Sequence, residues 1–397
     1  MAFRERSAVE ERIAMFVDFD TGAFTACELA DRYGVSRETF YVWKRRRESG
    51  DERWFEALSR APEHCPHATG DKQIAAIIAM RARFARFGPK KIRAKLVAEQ
   101  PKTAWPAAST VGDILKREGL IEAKPRRRKP VGQGECVCGA LEANGEWAID
   151  FKGWFRTLCG TRCDPLTITD TASRYLIETR IVEPTWAGVR CALERVFSDI
   201  GLPSAIRSDN GSPFGSTGAG GLSSLSVWWL RLGIEPRYIP PSSPQDNGRH
   251  ERMHRTLKAE ITQPPAAAIK DQQARFDAFR QYYNEDRPHE ALHQTPPAQH
   301  WHAPARTLPR HLDDPWYDAG HEVRSVHRAG WIKWRGETIF IGEALAGEIV
   351  GVAELETGGH IVRFCGRDLG IIDRGFRFHR FAPPRARLRS TVETKQE

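Results

Sequence analysis

At 397 residues, 40% of them apolar, the chain is long enough for two or three domains, each with a core of its own. No stretch approaches the roughly 18 uninterrupted apolar residues of a membrane helix, and Met1-Ala-Phe-Arg-Glu-Arg6 has no signal-peptide core, so a cytoplasmic location is expected. A net charge of +9 points to a polyanionic partner, nucleic acid first among them, and eight scattered cysteines suit reduced thiols better than a disulfide scaffold. Zinc is the alternative for the thiols: His64-Cys65-Pro-His67, Cys136-Val-Cys138 and Cys159 with Cys163 could supply ligands, although none has a standard finger spacing.

The amino-terminal third reads as all-helical. Residues 8–20 form a helix, and 25–47 read as a helix-turn-helix within a domain spanning 1–62. Cys27 to Tyr33 is its first helix, Gly34-Val35 its turn, and Ser36 caps a second helix from Arg37 to Arg47 through its hydroxyl. That second helix carries Arg37, Thr39, Tyr41, Lys44, Arg45 and Arg46, side chains able to reach base edges and phosphates. A basic solvated helix in an ordinary bundle is the competing reading.

A second helical block, 70–122, follows with helices Ile74–Phe87, Lys90–Leu96 and Ser109–Lys116, the last capped by Ser109. It reads either as a second helix-turn-helix or as a packing subdomain. Residues 123–142 form a basic linker in which Arg126, Arg127 and Arg128 can lie along phosphates.

From 143 to 305 apolar runs of strand length alternate with helical segments. Strands are expected at Glu146–Phe151, Trp154–Leu158, Leu166–Thr169, Tyr175–Ile181, Ala205–Ser208 and Ile234–Ile239. Helices are expected at Trp186–Ile200, Leu222–Leu232, Asn247–Thr262 and Asp271–Tyr283, giving an α/β core with a mixed sheet. Short runs between 320 and 382 (Trp331–Gly336, Thr338–Ile341, Glu348–Val352, His360–Phe364, Leu369–Asp373) suggest a small antiparallel β-barrel, and 383–397 reads as a disordered tail. The whole is a multidomain chain.

Two aspartates stand out at strand ends, Asp150 after Trp147-Ala-Ile149 and Asp209 after Ala205-Ile-Arg-Ser208. A loop rich in Pro, Ser and Asn then feeds a helix carrying Glu251 in its first turn. Three converging carboxylates suffice to hold divalent cations for phosphodiester transfer. On that helix His254, Arg255 and Lys258 share a face with Glu251, while Met253 and Leu257 suit the core.

These residues resemble the Asp-Asp-Glu core of retroviral-integrase-like transposases. The likeness rests on Trp147 to Asp150, on Ser208-Asp209-Asn210-Gly211-Ser-Pro-Phe214, on Pro244-Gln245-Asp-Asn247-Gly248-Arg-His-Glu251-Arg252, and on Tyr283-Asn284 through Leu292. It covers nearly the whole chain and looks most like a bacterial insertion-sequence transposase made as one polypeptide. The resemblance implies an RNase H-like core and Mg²⁺, with Mn²⁺ as a substitute, two ions per site on Asp150, Asp209 and Glu251. It also implies strand cleavage and transfer between element ends and target DNA, double-stranded DNA as partner, and a homo-oligomer, a dimer or higher, at the nucleoid.

Asp209 and Glu251 are separated by 41 residues, longer than is usual in that family, and the Gly215–Ser226 stretch reads as a surface loop accounting for the excess. Asn210, Gln245 and Asn247 are candidate DNA contacts or simply turn formers, and His254 a phosphate contact. Asp170 also ends a strand; a turn role paired with Arg174 is the stronger reading. A nuclease on the same fold and a silent DNA-binding regulator are the alternatives to a transposase.

Overall fold

The computed structural model describes residues 7–58, 68–121, 140, 142–240, 248–356 and 358–381. The basic linker and the tail expected at 383–397 therefore fall almost wholly outside the described residues. The chain divides into two compact units at Gly70/Asp71.

The first unit is three helices, α1 (Ala8–Asp20), α2 (Ala26–Arg32) and α3 (Arg37–Glu48). Ser7 with Glu10 and Thr25 with Glu28 form reciprocal capping boxes, and Ser36 accepts from the Thr39 N–H at 3.1 Å, as its sequence position predicts. Gly34, at φ +64°, makes the turn between α2 and α3. The core is small: Met15, Phe16, Leu29 and Phe40 are buried, with Phe16 and Phe40 stacked at 5.2 Å.

The second unit begins with α4 (Asp71–Arg83), α5 (Pro89–Glu99) and α6 (Ala108–Arg117). Ser109 is not the cap of α6; the helix starts directly after Ala107, which follows Pro106, and has no side-chain cap. This block packs onto the α/β core that follows it. Phe84 and Phe87 lie over Tyr282 at 6.2 and 6.1 Å, and Lys95 Nζ meets Asp286 at 2.8 Å.

The central sheet comprises β1 (Trp147–Phe151), β4 (Pro165–Asp170), β5 (Leu176–Ile181), β6 (Ala205–Ser208) and β7 (Glu235–Tyr238) in the order β5-β4-β1-β6-β7. β4 runs antiparallel to its neighbours β1 and β5, whereas β1, β6 and β7 are parallel, so the sheet is mixed as expected. The expected strand 154–158 shrinks to β2 (Phe155–Arg156), which pairs with β3 (Arg162–Cys163) outside the main sheet. Helices α7 (Trp186–Asp199) and α8 (Ser224–Arg231) bury Val189, Leu193, Phe197, Trp228 and Trp229 against one face. Helices α9 (Gly248–Ile261) and α10 (Ile269–Glu285) form a second cluster, in which Met253, Leu257, Phe276 and Phe279 pack with Leu176.

The carboxy-terminal region is an antiparallel sheet ordered β14-β13-β12-β11-β8, plus a β9–β10 hairpin. Its strands are β8 (His321–Ser325), β9 (Trp331–Trp334), β10 (Glu337–Phe340), β11 (Ile349–Glu354), β12 (His360–Phe364), β13 (Arg367–Ile372) and β14 (Phe378–Arg380). The pairing establishes sheet and hairpin, not the closure of a barrel.

The Gly215–Ser226 stretch is not a free surface loop. Ala219 and Leu222 are buried together with Val350, Val362 and Leu369 of the carboxy-terminal sheet, and the Gly220 N–H donates to Phe381 O at 3.2 Å. Gly220 sits at φ +60° with Leu369 only 3.5 Å from where a Cβ would lie, so small residues here permit close docking. Leu222→Ala should cost about 2–5 kcal/mol. Thermal unfolding combined with limited proteolysis should show the carboxy-terminal sheet becoming cleavable first.

Candidate active site

Strand alternation decides which side chains reach the crevice. Along β1, Trp147 and Ile149 enter the core under α7 and α8, while Ala148 and Asp150 point to the other face, beside α9. Ala148 lies opposite Arg207 in the parallel pairing of β1 and β6. Asp150 and Asp209 both follow that pair by two residues, which puts both carboxylates on one face where the strands part, the usual place for a crevice in such sheets.

Asp209 Oδ1 accepts the Gly211 N–H at 3.2 Å, and burial raises the carboxyl above its ordinary pKa, with the Gly211 bond opposing. A cation beside it would remove that cost. Asn210 Nδ2 donates to Ile239 O at 2.6 Å, tying the ends of β6 and β7.

Thr167 faces Asp150 across β1 and β4. Its hydroxyl donates to Asp150 O at 3.1 Å and lies 2.7 Å from Nε2 of both His250 and His254. With its only proton on Asp150 O, Thr167 accepts from both imidazoles. Nδ1 of His250 then accepts from Thr169 Oγ1 at 3.0 Å, so both nitrogens of that buried ring are used. Burial, then the charge of Lys152, lowers His254 to about 3; burial, then His254 and Arg207, lowers His250 well below its usual value. Both rings are neutral at physiological pH.

Asp150, His250 and His254 are the one set of three metal-type donors within 4.8 Å of one another among the described residues. Glu251 is exposed on α9, about 60° around the helix from His254 at the 100° per residue of an α-helix, and stands outside that set. Lys258 is exposed near Lys152, whose ammonium is disfavoured by burial and then by Lys258. Arg255 is exposed. His254, expected at a phosphate, is turned inward to Thr167. His250 was not singled out from sequence; the signal was its spacing of four from His254, a pattern that places two imidazoles on one helix face. That spacing holds zinc in other proteins.

Asp170 is a turn anchor. Its carboxylate accepts the N–H groups of Asn144 (2.8 Å) and Ser173 (2.7 Å) and the Ser173 hydroxyl (2.6 Å). Cys159 and Cys163 are free thiols, whereas Cys65, Cys136, Cys138, His64 and His67 lie outside the described residues, as do Gln245, Asn247, Arg126, Arg127 and Arg128.

Within the first unit, Arg37, Tyr41 and Arg45 are exposed on α3, and Thr39 bonds Ser36 through its hydroxyl at 2.8 Å. Lys44 lies 3.7 Å from Glu48. Arg46 is drawn inward to Asp51 (3.1 Å) and Glu56 O (2.5 Å), so it braces the module.

Residues 232–297, which hold α9 and α10, match the model of the integrase core domain. The chain is 26% identical over 250 residues to a protein of insertion element IS476 from Xanthomonas euvesicatoria, covering 61% of this chain and 69% of that protein. It is also 26% identical over 218 residues to a protein of insertion element IS407 from Burkholderia multivorans, covering 54% and 75%.

Residues 232–297 thus carry an integrase core domain, and the chain's relatives are insertion-element proteins.

Among solved structures, the chain is similar to a simian T-cell lymphotropic virus intasome (17% identity, TM-score 0.36, 72% of this chain and 91% of that one). It is also similar to the HTLV-2 integrase catalytic core domain in complex with magnesium (16%, 0.33, 42% and 100%).

Thr167→Val strands two imidazole N–H groups and removes the side-chain bond to the Asp150 carbonyl. It should lower stability by about 1–3 kcal/mol in chemical denaturation, and nitrogen NMR of the His250 and His254 rings should show their hydrogen bonds lost.

Proposed function

We propose that this integrase core is an active transposase, binding the ends of its insertion sequence and catalysing metal-dependent strand cleavage and transfer into target DNA. The observation that supports it best is the placement of Asp150 and Asp209 on one face of neighbouring parallel strands, with α9 and its Glu251 alongside. On this reading the sheet is RNase H-like, the carboxy-terminal strands close as a small barrel, and the protein works as a homo-oligomer that brings two DNA ends together.

Asp150, Asp209 and Glu251 would hold two Mg²⁺ ions, or Mn²⁺ in their place; carboxylate oxygens suit such hard cations. When bound, the metal would activate the attacking oxygen and stabilise the leaving one. Thr167, through the Asp150 carbonyl and the two imidazoles, would keep β1 and α9 at fixed separation. Lys152 and Lys258 would hold the scissile strand against the crevice. Arg37, Tyr41 and Arg45 on α3 would contact the element end, with Lys44 and Thr39 beside them, and Arg126–Arg128 would follow the backbone.

The test is a strand-transfer assay with the sequences flanking the gene. Asp150→Asn, Asp209→Asn and Glu251→Gln should each lower cleavage and joining by at least about a hundredfold, the scale of losing one transition-state charge partner, while binding of the duplex persists. Asp170→Asn should instead lower the unfolding midpoint. Cleavage without joining in the unaltered protein would mean a nuclease, and binding without cleavage a regulator.

A further inference from the structure

On the far side of α9 from His250 lies an open groove of about 500 Å³. Cations line it from four parts of the second unit: Lys91 of α5, Arg174 in the β4–β5 turn, Arg287 after α10, and Arg249, Arg252 and Arg255 of α9. The single carboxylate in its lining, Glu290, is 2.5 Å from Lys90. Arg287 is paired with Glu260 at 2.8 Å, whereas Lys91, Arg249, Arg252 and Arg255 make no ion pair among the described residues.

So many like charges around one concavity raise one another's energy. Burial and then the charge of Arg287 lower Lys91 to about 8, against the pull of Glu260 and Glu290. His289 adds an Nε2 in the same lining that is buried and has no hydrogen-bond partner among the described residues. A polyanion lying in the groove would meet all of these at once.

Helix geometry relates the groove to the crevice. At about 100° per residue, and starting from His250, His254 lies near 40°, Glu251 near 100°, Arg255 near 140°, Arg252 near 200° and Arg249 near 260°. Glu251 thus stands on the rim between the imidazoles and the arginines. A chain of phosphates crossing α9 from groove to crevice passes over it.

Building on the transposase reading, we propose that this groove binds the phosphate backbone of DNA, with the α4–α6 block forming one wall of the path that leads a strand past Glu251. The block's part is then sequence-independent grip rather than base reading, since Lys91 and the arginines would face phosphates.

The experiment is fluorescence anisotropy of full-length protein with two labelled duplexes, the sequences flanking the gene and a scrambled control, over a salt series. Each phosphate contact steepens the log-affinity against log-salt plot by about 0.9, so Lys91→Ser/Arg252→Ser should flatten it by roughly 2 on both duplexes. Affinity at low salt should fall about tenfold or more. Arg255→Gln, alone and exposed, should flatten the slope by about 1, and thermal melts identify any variant that fails to fold. Unchanged slopes in folded variants would overturn the groove while leaving the transposase reading intact; an unaltered protein that binds neither duplex would overturn that reading itself. Calorimetric binding of inorganic phosphate that the double variant loses, with its DNA slope unchanged, would make this a small-anion site and also overturn the proposal.

Discussion

The parallel pairing of β1 with β6 is the constraint on which the rest of the crevice depends. One hydrogen-bonded register, Ala148 opposite Arg207, aligns two otherwise independent chain segments. Because strand side chains alternate, it sends Trp147, Ile149 and Ile206 into the core under α7 and α8 and turns Asp150 and Asp209 the other way. A slip of one residue would bury a carboxylate and expose a core residue. The hydrophobic face and the polar face therefore enforce each other.

Helix α9 reads that polar face. Met253 and Leu257 seat it in a second apolar cluster, His250 and His254 bind it to Thr167 and Thr169, and its remaining circumference carries Glu251 and a bank of arginines. One helix thus joins the aspartates on one side to the basic groove on the other. The α4–α6 block and the carboxy-terminal sheet are fastened to the same core, the first through Tyr282 and Asp286 and the second through Ala219 and Leu222. Distant parts of the chain are thereby packed against one core.

Much of this was legible in the residues. Ser36 as a cap, Gly34 as a turn and the limits of β6 follow from local chemistry, and Asp150 and Asp209 were visible as carboxylates closing apolar runs. What escaped depended on long-range contact. Gly215–Ser226 looked like a loop because Gly and Ser favour turns, yet its Ala219 and Leu222 meet a sheet more than a hundred residues later in the chain. His254 looked like a surface cation because its neighbours are basic, but burial and Thr167 make it neutral. β8 and β14 escaped because they are short and polar edge strands, with no apolar run to mark them.

The central claim is that the carboxylates, and not the imidazoles, are the metal ligands. Anomalous diffraction from crystals soaked in Mn²⁺ tests it most directly. The account predicts manganese bridged by Asp150 and Asp209, with Glu251 drawn toward it and Thr167 still holding both histidines. Manganese bound by Asp150, His250 and His254 with Asp209 unengaged would contradict it.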